Sequence, residues 1–402
     1  MMNCIDRRTA LARMGIGAAG AGLLLAAPSP LLAANLGRAK IAKVEAFAVP
    51  RAIFVKVTAD DGTAGWGEAG HSGGALVERV IRQELDKLYE GGDVFDGDGL
   101  WSKAYYEVDE LGPGGLASQA LAGVDCALWD LRGKLLGLPV WALLGGKERS
   151  SFPVYGSFSR DIGRGQYMTP DEAARRAVEM VAEGFKAIKV RMAIREENAD
   201  PADDPTLPTA RAVRKAIGDA IPLYVDANNG YRAARAIQVG RALYEELGVS
   251  VFEEPCAMHH YASMAQVSDA LDISIAAGEH EYTPFAFRDL IDHGRPDLLN
   301  PDVSKLSGLT AARHVASLAY LRDIPISVHN ARPTLLSAAH AHFVAWAPTA
   351  TRPQEHPGAV RLKELWKYFR EPMLPVDGVF TVPDAPGLGL EPDEAVIRAD
   401  AE

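Results

Sequence analysis

Cysteine is scarce in this chain: among 402 residues there are three, Cys4, Cys126 and Cys256, with no CxxC spacing and no Cys/His cluster. That excludes a disulfide framework and a thiolate zinc site. Cys126, inside a helical pattern, and Cys256, just past a strand pattern, are expected as buried small apolar side chains. A basic excess is also lacking. Lys and Arg number 42 against 53 Asp and Glu, a formal charge of -11, so no surplus is available to neutralise phosphates and a nucleic-acid partner is excluded. No apolar run is long enough to span a bilayer, so no stable membrane insertion is expected.

What remains is the composition of a soluble globular protein, 48% hydrophobic and 24% charged, with length for two domains and sizeable cores. Residues 1–34 read as an address rather than as fold. Arg7-Arg8-Thr9-Ala10-Leu11 precedes a Gly/Ala-rich stretch from Met14 to Ala27, then Pro28-Ser29-Pro30 and small residues ending near Ala34. This resembles a twin-arginine export signal, and a periplasmic location is expected.

Residues 35–153 form an α+β pattern. Lys43 to Val49 and Ala52 to Ala59 read as strands, Asp60-Asp61-Gly62-Thr63 as a hairpin turn, and Ala64 to Ala69 as the returning strand. A helix follows from Ala117 to Leu136, with Leu121, Val124, Leu128, Leu131 and Leu135 on one apolar face and Gly137 then Pro139 to stop it. This module is expected to cap what comes next. Residues 154–377 alternate short apolar strands with helices, the pattern of a parallel (β/α) array. Strands are expected to end near Tyr155, Val190, Val225, Phe252, Ala277, Leu299, Val328 and Val344. The acidic segment from Glu196 to Pro205 reads as a solvated loop. Residues 378–402 are expected to pack back on the capping module.

Five ionisable residues recur at nearly one step: Asp226, Glu253, Glu279, Asp302 and His329 are separated by 27, 26, 23 and 27 residues. That is the length of one strand plus one helix, so the five can stand at one height on successive strands. Each lies at the carboxyl end of an apolar run, where a barrel of this kind carries its chemistry.

Carboxylates meeting there would resist ionisation without a cation. An all-oxygen set favours a hard ion, Mg2+ rather than zinc, and Asp226, Glu279 and one of the adjacent pair Glu253 and Glu254 are its expected ligands. The pair should point to opposite sides of a strand, leaving one to ligate. Asp302 beside His329 can hold the imidazole in one tautomer and raise its basicity. Lys189 and Arg191, two apart on the second strand, both point inward, where an anionic substrate would answer them.

Taken together, Lys189-Val190-Arg191, Asp226-Ala227-Asn228, Glu253-Glu254-Pro255, Gly278-Glu279, Pro301-Asp302 and His329 resemble the mandelate racemase branch of the enolase superfamily. Gly62 to Glu68 and Asp125 to Lys134 are similar to that family's capping domain. The resemblance implies a modified TIM barrel, (β/α)7β, with an α+β N-terminal capping domain. It selects Glu253 as the metal ligand and Mg2+ as the cofactor.

The resemblance further implies abstraction of a proton α to a carboxylate, with Lys189 at the substrate carboxylate, Asn228 supporting the metal, and Glu355 donating a hydrogen bond to the enediolate. Arg191 stands where the family's racemases carry a second basic lysine. Arginine stays protonated, which disfavours a two-base racemisation and leaves a one-base elimination by His329. Dehydration of an aldonate or aldarate to a 2-keto-3-deoxy acid is therefore expected. A racemase, epimerase or cycloisomerase, or a carbohydrate-acid binding protein that has lost turnover, are the alternatives. Gly278 to Tyr282 with Phe287-Arg288 is similar to the rhamnonate-dehydratase type, where His280 would aid the leaving group or line the wall. Specificity contacts are expected in Val49 to Phe54 and Ala69 to Ala75, with His71 a candidate. The partner is a small carboxylate, and a homo-oligomer is expected.

Overall fold

The computed structural model describes residues 39–70, 73–112, 114–358 and 363–401. The export-signal reading and His71 lie outside the described residues. Strands β1 (Ile41–Val49), β2 (Ala52–Ala59) and β3 (Ala64–Ala69) form an antiparallel sheet. Its floor is helix α1 (Leu116–Leu136), in which every residue from Ala117 to Gly133 is buried. The one-sided apolar face expected there is thus incomplete as a description. Asp125, Asp130 and Arg132 turn the polar side inward too, and each has polar partners. The helix stops at Gly137 in the left-handed conformation, φ 68°, which glycine adopts without steric cost.

The second sheet is parallel and curled. Strands β4 (Ser151–Ser159), β5 (Ile188–Arg191), β6 (Leu223–Asp226), β7 (Val249–Glu253), β8 (Ser274–Ala277) and β9 (Leu298–Leu299) follow one another in spatial as in chain order. β10 (Gln354–His356) pairs with the far side of β4. Between β9 and β10 runs 324–328, joined to β9 by the single bridge Leu299 to Ile326. Pro325 has no N–H to donate, which shortens that ladder. On the other side, Gln354 closes the ring with its side chain: its Oε1 accepts from Val328 N–H at 2.8 Å and its Nε2 donates to Ile326 C=O at 3.2 Å.

Seven helices alternate with these strands: α2 (Pro170–Ala182), α3 (Thr206–Ile217), α4 (Ala233–Leu247), α5 (Tyr261–Ala270), α6 (Pro284–Asp289), α7 (Leu309–Arg322) and α8 (Leu335–Trp346). The start of α2 shows why: Thr169 and Glu172 form a reciprocal capping box and Pro170 takes the first position. The eighth strand expected near Val344 is instead α8, and β10 supplies the eighth position. Residues 335–346 are apolar with no polar face because the helix is buried along nearly its whole length, and an apolar run of that kind carries no period to separate helix from strand.

The tail divides its contacts. β11 (Val379–Thr381) pairs antiparallel with Ser151–Pro153 at the start of β4. Helix α9 (Glu394–Ala401) then returns to the first sheet, where Lys56 meets Glu394 at 2.8 Å and Arg398 meets Glu45 at 3.3 Å. The described part of the chain is one compact unit, and among the described residues no helix is long and apolar enough to cross a membrane.

Candidate active site

Alternation along a strand decides what enters the barrel. In β5, Ile188 and Val190 pack outward in the core while Lys189 and Arg191 face the axis. Lys189 is wholly buried. Its Nζ lies 2.7 and 2.9 Å from the two oxygens of Glu253 and 3.0 Å from Glu355 Oε1. Arg191 reaches Asp226 Oδ2 at 3.2 Å and Glu279 Oε1 at 3.6 Å. One oxygen each from Asp226, Glu253 and Glu279 come within 4.8 Å of one another. The three acids expected to share an ion therefore do converge.

Asn228 follows β6 in the left-handed region, φ 51°, which short polar side chains tolerate. From there its N–H donates to Asp226 Oδ1 at 2.7 Å and its Nδ2 to Asp226 Oδ2 at 2.8 Å, so it orients that acid. Glu254 departs from expectation. With φ 42° it has left the strand, so alternation no longer sends it away from its neighbour. Its Oε1 sits 2.6 Å from His280 Nδ1 and its Oε2 accepts from Asn229 at 3.1 Å. Glu254, Glu279 and His280 form a second close set that shares Glu279.

His329 Nδ1 is 2.7 Å from Asp302 Oδ2, as the spacing of the two predicts. The other Asp302 oxygen accepts from Ser304 N–H at 2.8 Å and Ser304 Oγ at 2.7 Å. Behind it His340 Nε2 accepts from Val303 N–H at 3.1 Å, and burial lowers that imidazole to about 4, so it stays neutral. His329 Nε2 points the opposite way, 3.2 Å from Glu279 Oε2, and neither atom has a hydrogen-bond partner among the described residues. Two buried polar atoms without a hydrogen bond, side by side at the cavity wall, mark a place built for a ligand.

The electrostatics agree. Burial raises Asp226 to about 6 against the pull of Lys189 and Arg191, and burial raises Glu253 as well. Glu279 goes down despite burial, because His329, Lys305 and Arg191 surround it. An oxygen-only donor set in which burial raises two acids and surrounding cations keep the third charged fits a hard divalent cation. Glu355 lies in the same layer, its Oε1 3.0 Å from Lys189 Nζ and its Oε2 accepting from Asn330 N–H at 3.1 Å. Burial would raise it, but Lys189 and then His329 outweigh burial and hold it at about 2.

A cavity of about 390 Å³ opens above this layer, lined by Arg191, Glu279, His280 and His329 of the expected residues. Asp226, Glu253, Lys189, Asn228 and Glu355 are not among its lining residues. The sequence reading missed Lys305, whose amine stands 3.6 Å from Glu279 in the cavity wall. Its signal was present: a lysine three residues past Asp302, just beyond a strand end. Gln119, in the first turn of α1, also lines the cavity, and nothing in its local pattern marks it.

Comparison with known proteins places these features in a family context. Residues 40–145 match the model described as the mandelate racemase / muconate lactonizing enzyme N-terminal domain, and residues 172–396 match the enolase C-terminal domain-like model. The chain is 33% identical to a D-galactarolactone cycloisomerase of Agrobacterium fabrum, over 84% of this chain and 88% of the relative. It is 30% identical to a D-galactonate dehydratase of Ralstonia nicotianae, over 87% and 90%. A mandelate racemase/muconate lactonizing protein from Paracoccus denitrificans, solved in complex with magnesium, superposes with a TM-score of 0.84 at 38% identity, covering 90% of this chain and 98% of that one.

Proposed function

This chain belongs to the mandelate racemase / muconate lactonizing enzyme branch of the enolase superfamily, and on that premise we propose that it dehydrates a sugar acid, an aldonate or aldarate, to a 2-keto-3-deoxy acid. Its relatives at this identity are dehydratases and cycloisomerases, so the chain is an enzyme, and the reaction class is the proposal. The observation that carries it is the His329–Asp302 dyad at 2.7 Å, with the free imidazole nitrogen facing the carboxylate cluster.

Asp226, Glu253 and Glu279 would hold Mg2+, which supplies a Lewis acid for the charge that develops on the substrate carboxylate. Arg191, in the cavity wall, and Lys189, beside Glu253, add fixed positive charge. His329 Nε2 takes the proton α to the carboxylate while Asp302 holds Nδ1–H and stabilises the imidazolium. The electron pair of the broken C–H bond moves toward the carboxylate, giving an enediolate, then returns to form a carbon–carbon double bond as the β C–O bond breaks. The departing hydroxide takes that proton back from His329 and leaves as water. The enol then becomes the keto acid. Arg191 stays protonated and provides no second base.

The cycloisomerase relatives favour a second reading, in which the same proton abstraction expels a ring oxygen. Mass spectrometry separates the two. A panel of aldonic acids, aldaric acids and their lactones, incubated with Mg2+, should yield a product lighter by one water. An isomer of unchanged mass would select ring opening. Conversion of no panel member by a Mg2+-saturated protein would remove the sugar-acid reading.

A further inference from the structure

Two sequence motifs outside the barrel, Gly65-Trp66-Gly67-Glu68 and the Asp125 segment of α1, have no part in the chemistry above. Each carries a buried carboxylate, and the two carboxylates do the same thing. Asp125 accepts from Thr310 N–H at 2.9 Å and from Thr310 Oγ1 at 2.6 Å. Glu68 accepts from Leu336 N–H at 3.2 Å and from Thr334 Oγ1. Thr310 and Leu336 are each the second residue of a barrel helix, α7 and α8. Those are the helices that follow the strands of Asp302 and His329.

The first amides of a helix need an acceptor, and a carboxylate there also meets the favourable end of the helix dipole. Neither helix caps itself. Gly308, the N-cap of α7, has no side chain, and at φ 99° a Cβ there would run into the Asp125 carboxylate. Thr334, the N-cap of α8, makes no cap of its own because its hydroxyl donates to Glu68. The carboxylates are held rigidly. A Cβ on Gly65 or Gly67 would collide with the backbone of α1, so β3 lies directly against it. Trp129 and Trp101 add bonds to Thr310 Oγ1 at 3.0 Å and Ser307 C=O at 2.8 Å, and Arg332 donates to Arg51 C=O.

We infer that the N-terminal layer positions the dyad: Asp125 and Glu68 cap in trans the two helices behind Asp302 and His329, and so fix the loops that set imidazole against carboxylate. Both are positioning residues; neither touches the reacting atoms. The metal ligands sit on β6, β7 and after β8, which neither clamp reaches, so the clamps serve the base and leave ion binding alone.

The dyad's role rests on the reading above, and the test has an arm that does not need it. In the full chain with Mg2+, hydrogen–deuterium exchange of Asp125→Ala should rise at least tenfold in peptides covering 303–311, and that of Glu68→Ala in peptides covering 330–338. Peptides covering 223–228 and 249–254 should stay unchanged. With a substrate in hand, kcat should fall at least tenfold in both variants while Mg2+ Kd and KM stay within threefold. Asp125→Asn and Glu68→Gln, which keep an acceptor for the amide, should recover most of that loss. Thr310→Val and Thr334→Val remove one bond each and serve if the alanine variants fold poorly. Exchange that rises throughout the barrel, Mg2+ affinity that falls in step with kcat, or kcat within twofold of the parent would overturn the inference. If no sugar acid is turned over at all, the exchange pattern still decides it.

Discussion

Buried carboxylates occupy two regions of this molecule, and they are treated in opposite ways. In the N-terminal layer each is surrounded by donors. Asp130, wholly buried, accepts from Trp66 N–H and Leu388 N–H at 2.7 Å each and pairs with Lys134 at 2.9 Å. At the barrel mouth, acids crowd within 4.8 Å of one another and, among the described residues, Glu279 Oε2 accepts no hydrogen bond. Burial alone does not tell the two apart. The difference is satisfaction: a carboxylate with its hydrogen bonds complete ties chain segments together, while a cluster short of donors is complete only with a ligand.

Substitutions at the mouth should therefore damage chemistry or ion binding directly, and substitutions in the layer should damage stability, or at Asp125 and Glu68 the placing of the dyad, while ion binding holds. The largest effect is expected for His329→Asn, which should lower kcat by roughly a thousandfold, the scale of a general base, with Mg2+ affinity within threefold by calorimetry. Retained turnover would remove His329 as the base. Glu279→Gln should weaken Mg2+ by about 100-fold or more, since disturbing even the groups that support a metal ligand costs 10- to 100-fold. The parent's own affinity should fall by at least tenfold per pH unit below the Asp226 value of about 6, where protons on Asp226 and on the raised Glu253 compete with the ion. A flat profile across that range would contradict the cluster's assignment.

On the stability side, Asp130→Ala leaves two buried amides without acceptors and should cost about 3 kcal/mol in chemical denaturation, while Mg2+ affinity holds. Loss of ion binding in that variant would erase the distinction between the two regions. The smallest effect concerns His356, which burial lowers to about 3 while its Nδ1 accepts from Gly358 N–H at 3.1 Å. Kept neutral when folded, it binds a proton on unfolding below about pH 6.5, so its contribution is full above that pH and is lost as pH falls toward 3. His356→Asn keeps an acceptor and should flatten the acid limb of stability by about 1.4 kcal/mol per pH unit.

Much of the site was legible because strand-end residues carry a strong signal. A short apolar run closed by an acid, repeated at one interval, marks both a parallel strand and the face its last side chain occupies. Where that grammar fails, the reading fails with it. Val344 belongs to a helix buried almost throughout, whose pattern has no polar side to reveal its period. Glu254 escaped the alternation rule because a left-handed residue turned it toward the mouth. Nothing in the local pattern pairs Glu355 with Lys189, which only the fold brings within 3.0 Å.

The one-dimensional pattern by itself determined the alternating architecture, the acidic ring and the dyad, since each depends on spacing along strands of known rise. The tertiary structure alone decided which acids are satisfied, where Lys305 and Gln119 enter the cavity, and that Glu68 and Asp125 cap helices more than a hundred residues away in the chain. Those are matters of long-range proximity. Local periodicity records which way a side chain points, and only the packed fold brings its partner within hydrogen-bonding distance.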